Sequence, residues 1–166
     1  MYVDADFSEN SKKNEAHERD SACSRYGYII GNNSCPILWK SQLQLEIALL
    51  STESKYIGIL HALCYAIPVI GILRKMKAFG IPIGCTKSKI HCRVFGDNRG
   101  ALEMEKVHKY RPCTKHVNVK YHHFRDYVNR GVITINTIGT NKEPADILTK
   151  PVNVSTLRKH KYFIMG

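Results

Sequence analysis

The sequence predicts an α/β domain around a mixed sheet, and three observations carry that expectation. Residues 2–40 hold three strand-like runs divided by polar or turn-forming residues. A long stretch of helical periodicity follows, from about Ser51 to Phe79. Beyond it, strand and helix patterns alternate, giving the order β-β-β-α-β-α-α-β-α.

The first run, "YVDAD", sets Val3 and Ala5 against Asp4 and Asp6 at the period of a strand. The polar stretch 8–23 reads as a loop. Tyr26–Ile30 and Pro36–Lys40 are two further strands, and Gly31-Asn32-Asn33-Ser34 between them tolerates turn conformations, so the three form an antiparallel meander. In the long helix Tyr56, Leu60, Leu63, Ile67 and Ile70 recur at three- and four-residue steps, as a buried face requires. Ser51 or Thr52 is the expected N-cap and Glu53 falls in the first turn. Pro68 is expected to kink or split the helix, at a cost of about 3 kcal/mol.

"GIPIGCTKS" (80–88) reads as a connection. "KIHCRVFGDN" (89–98) is a strand ending at Gly96-Asp97, with Ile90, Cys92 and Val94 on one face, and 98–107 is a short helix. A basic loop (108–116) leads to a helix over 117–131, striped by Val117, Tyr121, Phe124 and Val128 and closed by Gly131. "VITINTI" (132–138) is a β-branched strand. A short helix around Glu143–Thr149 ends a domain spanning 1–151, and 152–166 is a basic C-terminal tail.

Lys and Arg number 25 against 14 Asp and Glu, a net charge of +11 that favours a polyanionic partner, nucleic acid first; a basic surface kept for solubility is the plainer reading. No run of about 18 apolar residues is evident, so no membrane partner is expected. The start "MYVDADF" is too short and acidic for a signal peptide. Six scattered cysteines without a C-x-x-C pair fit reduced intracellular thiols. Cys113, His116, His122 and His123 lack the second cysteine pair of a zinc site.

Four carboxylates fall at element ends or on a strand: Asp4 on the first strand, Glu53 in the first turn of the long helix, Asp97 after the fourth strand and Asp146 opening the last helix. Singly, each reads as a cap or an ordinary strand residue. They converge if the first and fourth strands are neighbours, and converging carboxylates need a cation. Oxygen-only ligands suit Mg²⁺ or Mn²⁺. With a polyanionic partner, the matching reaction is phosphodiester hydrolysis at two metal ions.

The blocks "YVDAD", "ILWKSQLQLEIALLSTESKYIGI", "FGDN", "TKHVNVKYHHFRDYV" and "EPADILTKP" occur in an order that resembles the ribonuclease H domain of copia-type LTR retrotransposons, from about residue 2 to residue 151. The resemblance implies a ribonuclease H-like fold, with a five-stranded mixed sheet (three antiparallel strands, then two parallel) flanked by helices. It implies cleavage of RNA in RNA–DNA hybrids with two Mg²⁺ or Mn²⁺ ions. Asp4 would bridge the ions, Glu53 and Asp97 would hold one, and Asp146 would complete the other. Asp6 would support Asp4 or be an ordinary strand residue. Asn98 would meet a sugar or base edge, or cap the following helix; Lys115, His116 and Arg125 would meet phosphate, or, for Arg125, form a solvated basic face. The first strand begins almost at residue 1, which implies an upstream reverse transcriptase domain of the same polyprotein. An intracellular setting, cytoplasmic or nuclear, follows, within a virus-like particle for an active element.

The sequence departs from the family pattern in places. The insert "SENSKKNEAHERDSACSR" replaces a short Arg/Ser-rich stretch, Lys55 stands where an acidic residue is usual, and "GCTKSKIHCRVFG" lengthens the approach to Asp97. "GTNKEP" before Asp146 carries no proton-shuttling histidine. A degenerate or repurposed copy that binds nucleic acid without catalysis is therefore the alternative to a working nuclease.

Overall fold

The computed structural model describes residues 1–7, 23–32, 35–45, 48, 50–83, 89–97 and 124–165. Five strands form one mixed sheet in the order β3-β2-β1-β4-β5: β1 Tyr2–Asp6, β2 Arg25–Asn32, β3 Cys35–Leu43, β4 Cys92–Gly96 and β5 Ile133–Thr137. β1, β2 and β3 pair antiparallel, while β4 is parallel to both β1 and β5. The expected meander and the adjacency of the first and fourth strands are therefore both present. β2 and β3 run longer than the expected segments, with a register shift between Ile30 and Gly31.

β1 is central, so the period-two pattern of "YVDAD" carries a different meaning from that of a half-exposed strand. Val3 and Ala5 enter the main core with Tyr26, Tyr28 and Ile30, while Asp4 and Asp6 on the other face are buried too. A central strand covered on both sides gives its polar residues no water, and each needs a partner instead.

Helix α1 (Ser51–Ala78) lays Ile59, Leu60, Leu63, Ala66 and Ile70 on that core. It comes close to the sheet at Gly58, where a Cβ would stand 3.3 Å from the Ala5 Cβ and 3.4 Å from the Tyr26 Cβ. Pro68 neither splits nor ends the helix; it sits exposed within one continuous span. The N-cap is Leu50, without a side-chain capping bond, rather than Ser51 or Thr52. The first turn is instead anchored by the buried Gln44 amide, which donates to the Ser54 carbonyl (2.7 Å) and hydroxyl (3.2 Å). By length and composition α1 is apolar enough to cross a membrane, which corrects the expectation that no such run exists. Its apolar face is spent on the sheet, as a core helix requires.

The helix expected over 117–131 is described only from residue 124; this part, α2 (124–129), packs Phe124 and Val128 on the core and ends at Gly131, whose φ of +64° suits the expected C-terminal cap, while Val117 and Tyr121 lie outside the described residues. The helix expected over 98–107 and the basic loop 108–116 lie outside the described residues. After β5 come two 3₁₀ turns, Thr140–Lys142 and Pro144–Leu148. The expected basic tail is a helix, α3 (Val154–Met165). Asn153 Oδ1 accepts the Thr156 N–H at its start, Phe163 packs edge-on against Tyr2, and the Lys159 ammonium donates to the Asn141 carbonyl.

Gly27 pairs with Asp4, and a Cβ there would lie 2.6 Å from the Leu148 Cβ and 3.1 Å from the Thr149 Cγ2. The missing side chain lets the Pro144–Leu148 turn sit on the sheet beside Asp4. Gly27→Ala is expected to push this turn outward and destabilise the fold by about 1–3 kcal/mol, as overpacking does. Chemical denaturation of parent and variant checks it.

Candidate active site

The parallel pairing of β1 and β4 brings two carboxylates together. Tyr2 lies beside Phe95, and the parallel run of the two strands carries Asp4 and Asp97 to the same region, where Lys55 reaches both. Carboxyl ends of neighbouring parallel strands are where open α/β sheets place ligands. The Pro144–Leu148 turn adds Asp146 from the β2 side. Glu53 and Lys55 belong to the first turns of α1, held by the Gln44–Ser54 contact.

Asp4 is the centre of the group, with its side chain 1% exposed. Its Oδ2 accepts a hydrogen bond from the Thr149 hydroxyl (2.5 Å), whereas its Oδ1 has no hydrogen-bond donor. The Lys55 ammonium stands 3.6 Å from Asp4 Oδ1 and 2.5 Å from Asp97 Oδ1. Asp146 Oδ2 pairs with Lys150 at 3.0 Å, and Asp146 Oδ1 is buried without a donor. Burial, then the charge of Asp4, push the Asp146 carboxyl up to about 6, against the pull of Lys150. Burial opposes the charge on Lys150, but Asp146, Asp4 and Asp97 outweigh it and the amine is held above its ordinary range.

Glu143 is fully buried and, rather than Asp146, caps the turn: its Oε1 accepts the Ala145 N–H at 3.1 Å. Its Oε2 has no partner. Burial pushes its carboxyl up to about 9; the Ala145 N–H works against the shift, and Asp4, Asp146 and Asp97 add to it.

Of the expected site residues, Asp4, Asp97 and Asp146 meet at this end of the sheet. Glu53 is half-buried in the first turn of α1. Among the described residues no three His, Cys, Asp or Glu side chains form a group able to hold a metal ion. Asp6 is buried on β1, and Arg125 is half-buried on α2. Asn98, Lys115 and His116 lie outside the described residues, as do Cys113, His122 and His123. Sequence reading passed over Thr149, Lys150 and Glu143; all three lie in or beside "EPADILTKP", where the spacing of Asp146 to Lys150 is that of an i,i+4 pair.

The donor chemistry fits a hard divalent cation. Asp4 and Asp146 each keep a buried carboxylate oxygen without a hydrogen-bond donor, and each feels the other's charge.

No protein-family model matches the sequence. Among solved structures, the N-terminal ribonuclease H domain of a Mycobacterium tuberculosis protein, fused to maltose-binding protein, superposes with a TM-score of 0.56 at 11% identity, covering 97% of this chain and 94% of that one. The LC11 ribonuclease H of type 1, solved with an RNA/DNA hybrid, gives a TM-score of 0.51 at 14% identity, covering 89% and 91%. The fold is thus that of ribonuclease H domains.

More particularly, the chain is similar in sequence to a segment of retrovirus-related Pol polyproteins of plant transposons. It is 31% identical over 151 residues to the polyprotein of transposon TNT 1-94 of Nicotiana tabacum, and 27% identical over 152 residues to that of RE1 of Arabidopsis thaliana. These alignments cover 91% and 92% of this chain, which spans 10% and 9% of those polyproteins.

Glu143 makes stability depend on pH. In the fold it keeps its proton to about pH 9, whereas a free carboxyl loses it near 4.5, so over that window the folded state binds more protons than the unfolded one. Stability therefore falls as pH rises through the window, and Asp146, raised from 3.8 to about 6, acts in the same direction. Between roughly pH 5 and 8 the metal-free protein is expected to lose on the order of 1 kcal/mol or more. Glu143→Gln, which keeps the acceptor for Ala145, should flatten most of that slope in denaturant titrations.

Proposed function

We propose that this chain is the ribonuclease H region of a copia-type Pol polyprotein, hydrolysing RNA in RNA–DNA hybrids with two Mg²⁺ or Mn²⁺ ions. The observation that carries the reading is the meeting of Asp4, Asp97 and Asp146 at the carboxyl ends of β1 and β4 in a ribonuclease H-like fold. The hybrid in the LC11 structure and the Pol context of the relatives support the substrate and an upstream reverse transcriptase domain as partner. An intracellular, cytoplasmic or nuclear setting goes with that context.

Asp4, Asp97, Asp146 and, from α1, Glu53 would hold the ions, which when bound supply an acidified water and neutralise charge on the phosphodiester. Thr149 orients Asp4 through its hydroxyl, and Lys150 holds Asp146 at the edge of the site. Glu143 keeps its proton near neutral pH, so a fourth full charge is not added beside the three aspartates. Lys115 and His116, with Asn98 and Arg125, would contact the hybrid backbone.

The second reading is a copy that binds hybrid without turnover. Lys55 favours it, because its ammonium sits between Asp4 and Asp97 where a cation is needed.

Cleavage of a labelled RNA–DNA hybrid, with and without Mg²⁺, separates the two. Asp146→Asn removes the charge at nearly constant size; cleavage is expected to fall by about two orders of magnitude or more while hybrid binding persists. Equal cleavage by the variant would leave Asp146 without a catalytic part, and a folded parent that never cleaves would favour the binding copy.

Binding itself should be electrostatic. Phosphate contacts release counterions, so log K is expected to fall with log salt at ~0.7–0.9 per phosphate neutralised. A flat response in a fluorescence-anisotropy series would remove nucleic acid as the partner implied by the +11 charge.

A further inference from the structure

The gap between Asp4 and Asp97 is bridged by an ammonium group of the chain itself. Lys55 Nζ lies 2.5 Å from Asp97 Oδ1 and 3.6 Å from Asp4 Oδ1, while Asp4 Oδ1 has no hydrogen-bond donor. We propose that Lys55 is an internal cation that competes with a divalent metal ion for Asp4 and Asp97, so that the ion binds only as the Lys55 side chain withdraws. The inference rests on the metal-dependent reading of the site.

Three features support competition rather than a permanent structural pair. The first is occupancy: a carboxylate oxygen at ion-pair distance from an ammonium is not free to enter the inner sphere of an ion that demands oxygen ligands. The second is charge. Among the described residues, Asp4, Asp97 and Asp146 are faced by Lys55 and Lys150, and withdrawal of Lys55 leaves one of these ammonium groups against the three aspartates, a stronger attraction for a dication.

The third is freedom to leave. The Lys55 side chain is 21% exposed, whereas that of Asp4 is 1% exposed. Its four-carbon stem carries a point charge with no fixed fork geometry, so it can swing towards solvent without moving α1. The backbone beneath it is pinned separately, through Gln44 and Ser54.

The test is titration of the whole chain with Mg²⁺ by calorimetry, in the parent, Lys55→Gln and Lys55→Arg. Lys55→Gln is expected to bind Mg²⁺ roughly tenfold or more tightly than the parent, and Lys55→Arg, which keeps the charge, should stay near the parent. A second readout uses the parent alone, labelled with ¹³C at the lysine ε-carbons. The signal that vanishes in Lys55→Arg should shift as Mg²⁺ saturates the site, and this holds even if Lys55→Gln fails to fold. Equal affinity of parent and Lys55→Gln, or a Lys55 signal unmoved at saturation, would overturn the competition while leaving a metal site in place. If neither parent nor folded Lys55→Gln takes up Mg²⁺ at tens of millimolar, the competition and the metal-dependent reading fall together.

Discussion

A carboxylate on the central strand of a sheet has no water to stabilise its charge, and Asp4 is such a carboxylate. Asp97, Asp146 and Glu143 stand close enough for their charges to be felt in the same place. Two like charges ~4 Å apart at an effective dielectric constant near 20 repel by about 4 kcal/mol, so the arrangement survives only with compensation. The chain compensates in three ways: the Thr149 hydroxyl donates to Asp4, Lys55 and Lys150 supply ammonium groups, and Glu143 keeps its proton near neutral pH. Thr149, Lys150 and Glu143 all come from the segment 143–150, which meets much of that requirement.

Topology explains why the carboxylates meet at all. They come from positions 4, 97 and 146, and nothing local joins them. Parallel pairing of β1 with β4 aligns the first two, and the Pro144–Leu148 turn brings in the third only because Gly27 leaves the space above Asp4 open. Ser41 adds a hold from the sheet edge, its hydroxyl donating to the Leu148 carbonyl at 2.5 Å. α1 approaches from the core side through Gly58, which lets its N-terminal turns reach the strand ends. Two glycines on different elements thus set the spacing of a site to which neither contributes a side chain.

Much of this architecture was legible from pattern. β-Branched and alternating runs marked the strands, and the three- and four-residue recurrence from Tyr56 to Ile70 marked α1, because burial of one face leaves a period in the sequence. Capping was read less well. Asp146 looked like a helix-opening residue, yet Glu143 makes that bond, since a 3₁₀ turn beginning at Pro144 needs its acceptor one residue earlier. Pro68 was expected to break α1, but its exposed position and the sheet packing of neighbouring turns carry the helix through. α3 was read as a tail because most of its residues are polar or charged; what holds it is tertiary, chiefly Phe163 on Tyr2 and the buried His160. The site was legible as a set of residue types, while Lys55 between two aspartates was visible only as an unusual residue, because its partners lie far away in sequence.

The contrast between global and local charge then has a physical meaning. A chain of net charge +11 attracts a polyanion over a Debye length of about 8–10 Å at ordinary salt. Among the described residues at the end of β1 and β4, however, three aspartates stand against two lysines and repel a phosphate that comes into contact. Long-range attraction can therefore bring nucleic acid to the surface without seating a phosphodiester in the pocket. Seating it needs further positive charge there, from a divalent ion or from the chain itself. Lys55 is half of the positive charge that the described residues already supply, and it is held by the same two carboxylates that an incoming ion would need. Its position thus bears on both proposed readings: a site that stays closed around Lys55 would bind hybrid without cutting it, and one from which Lys55 withdraws would be open to metal.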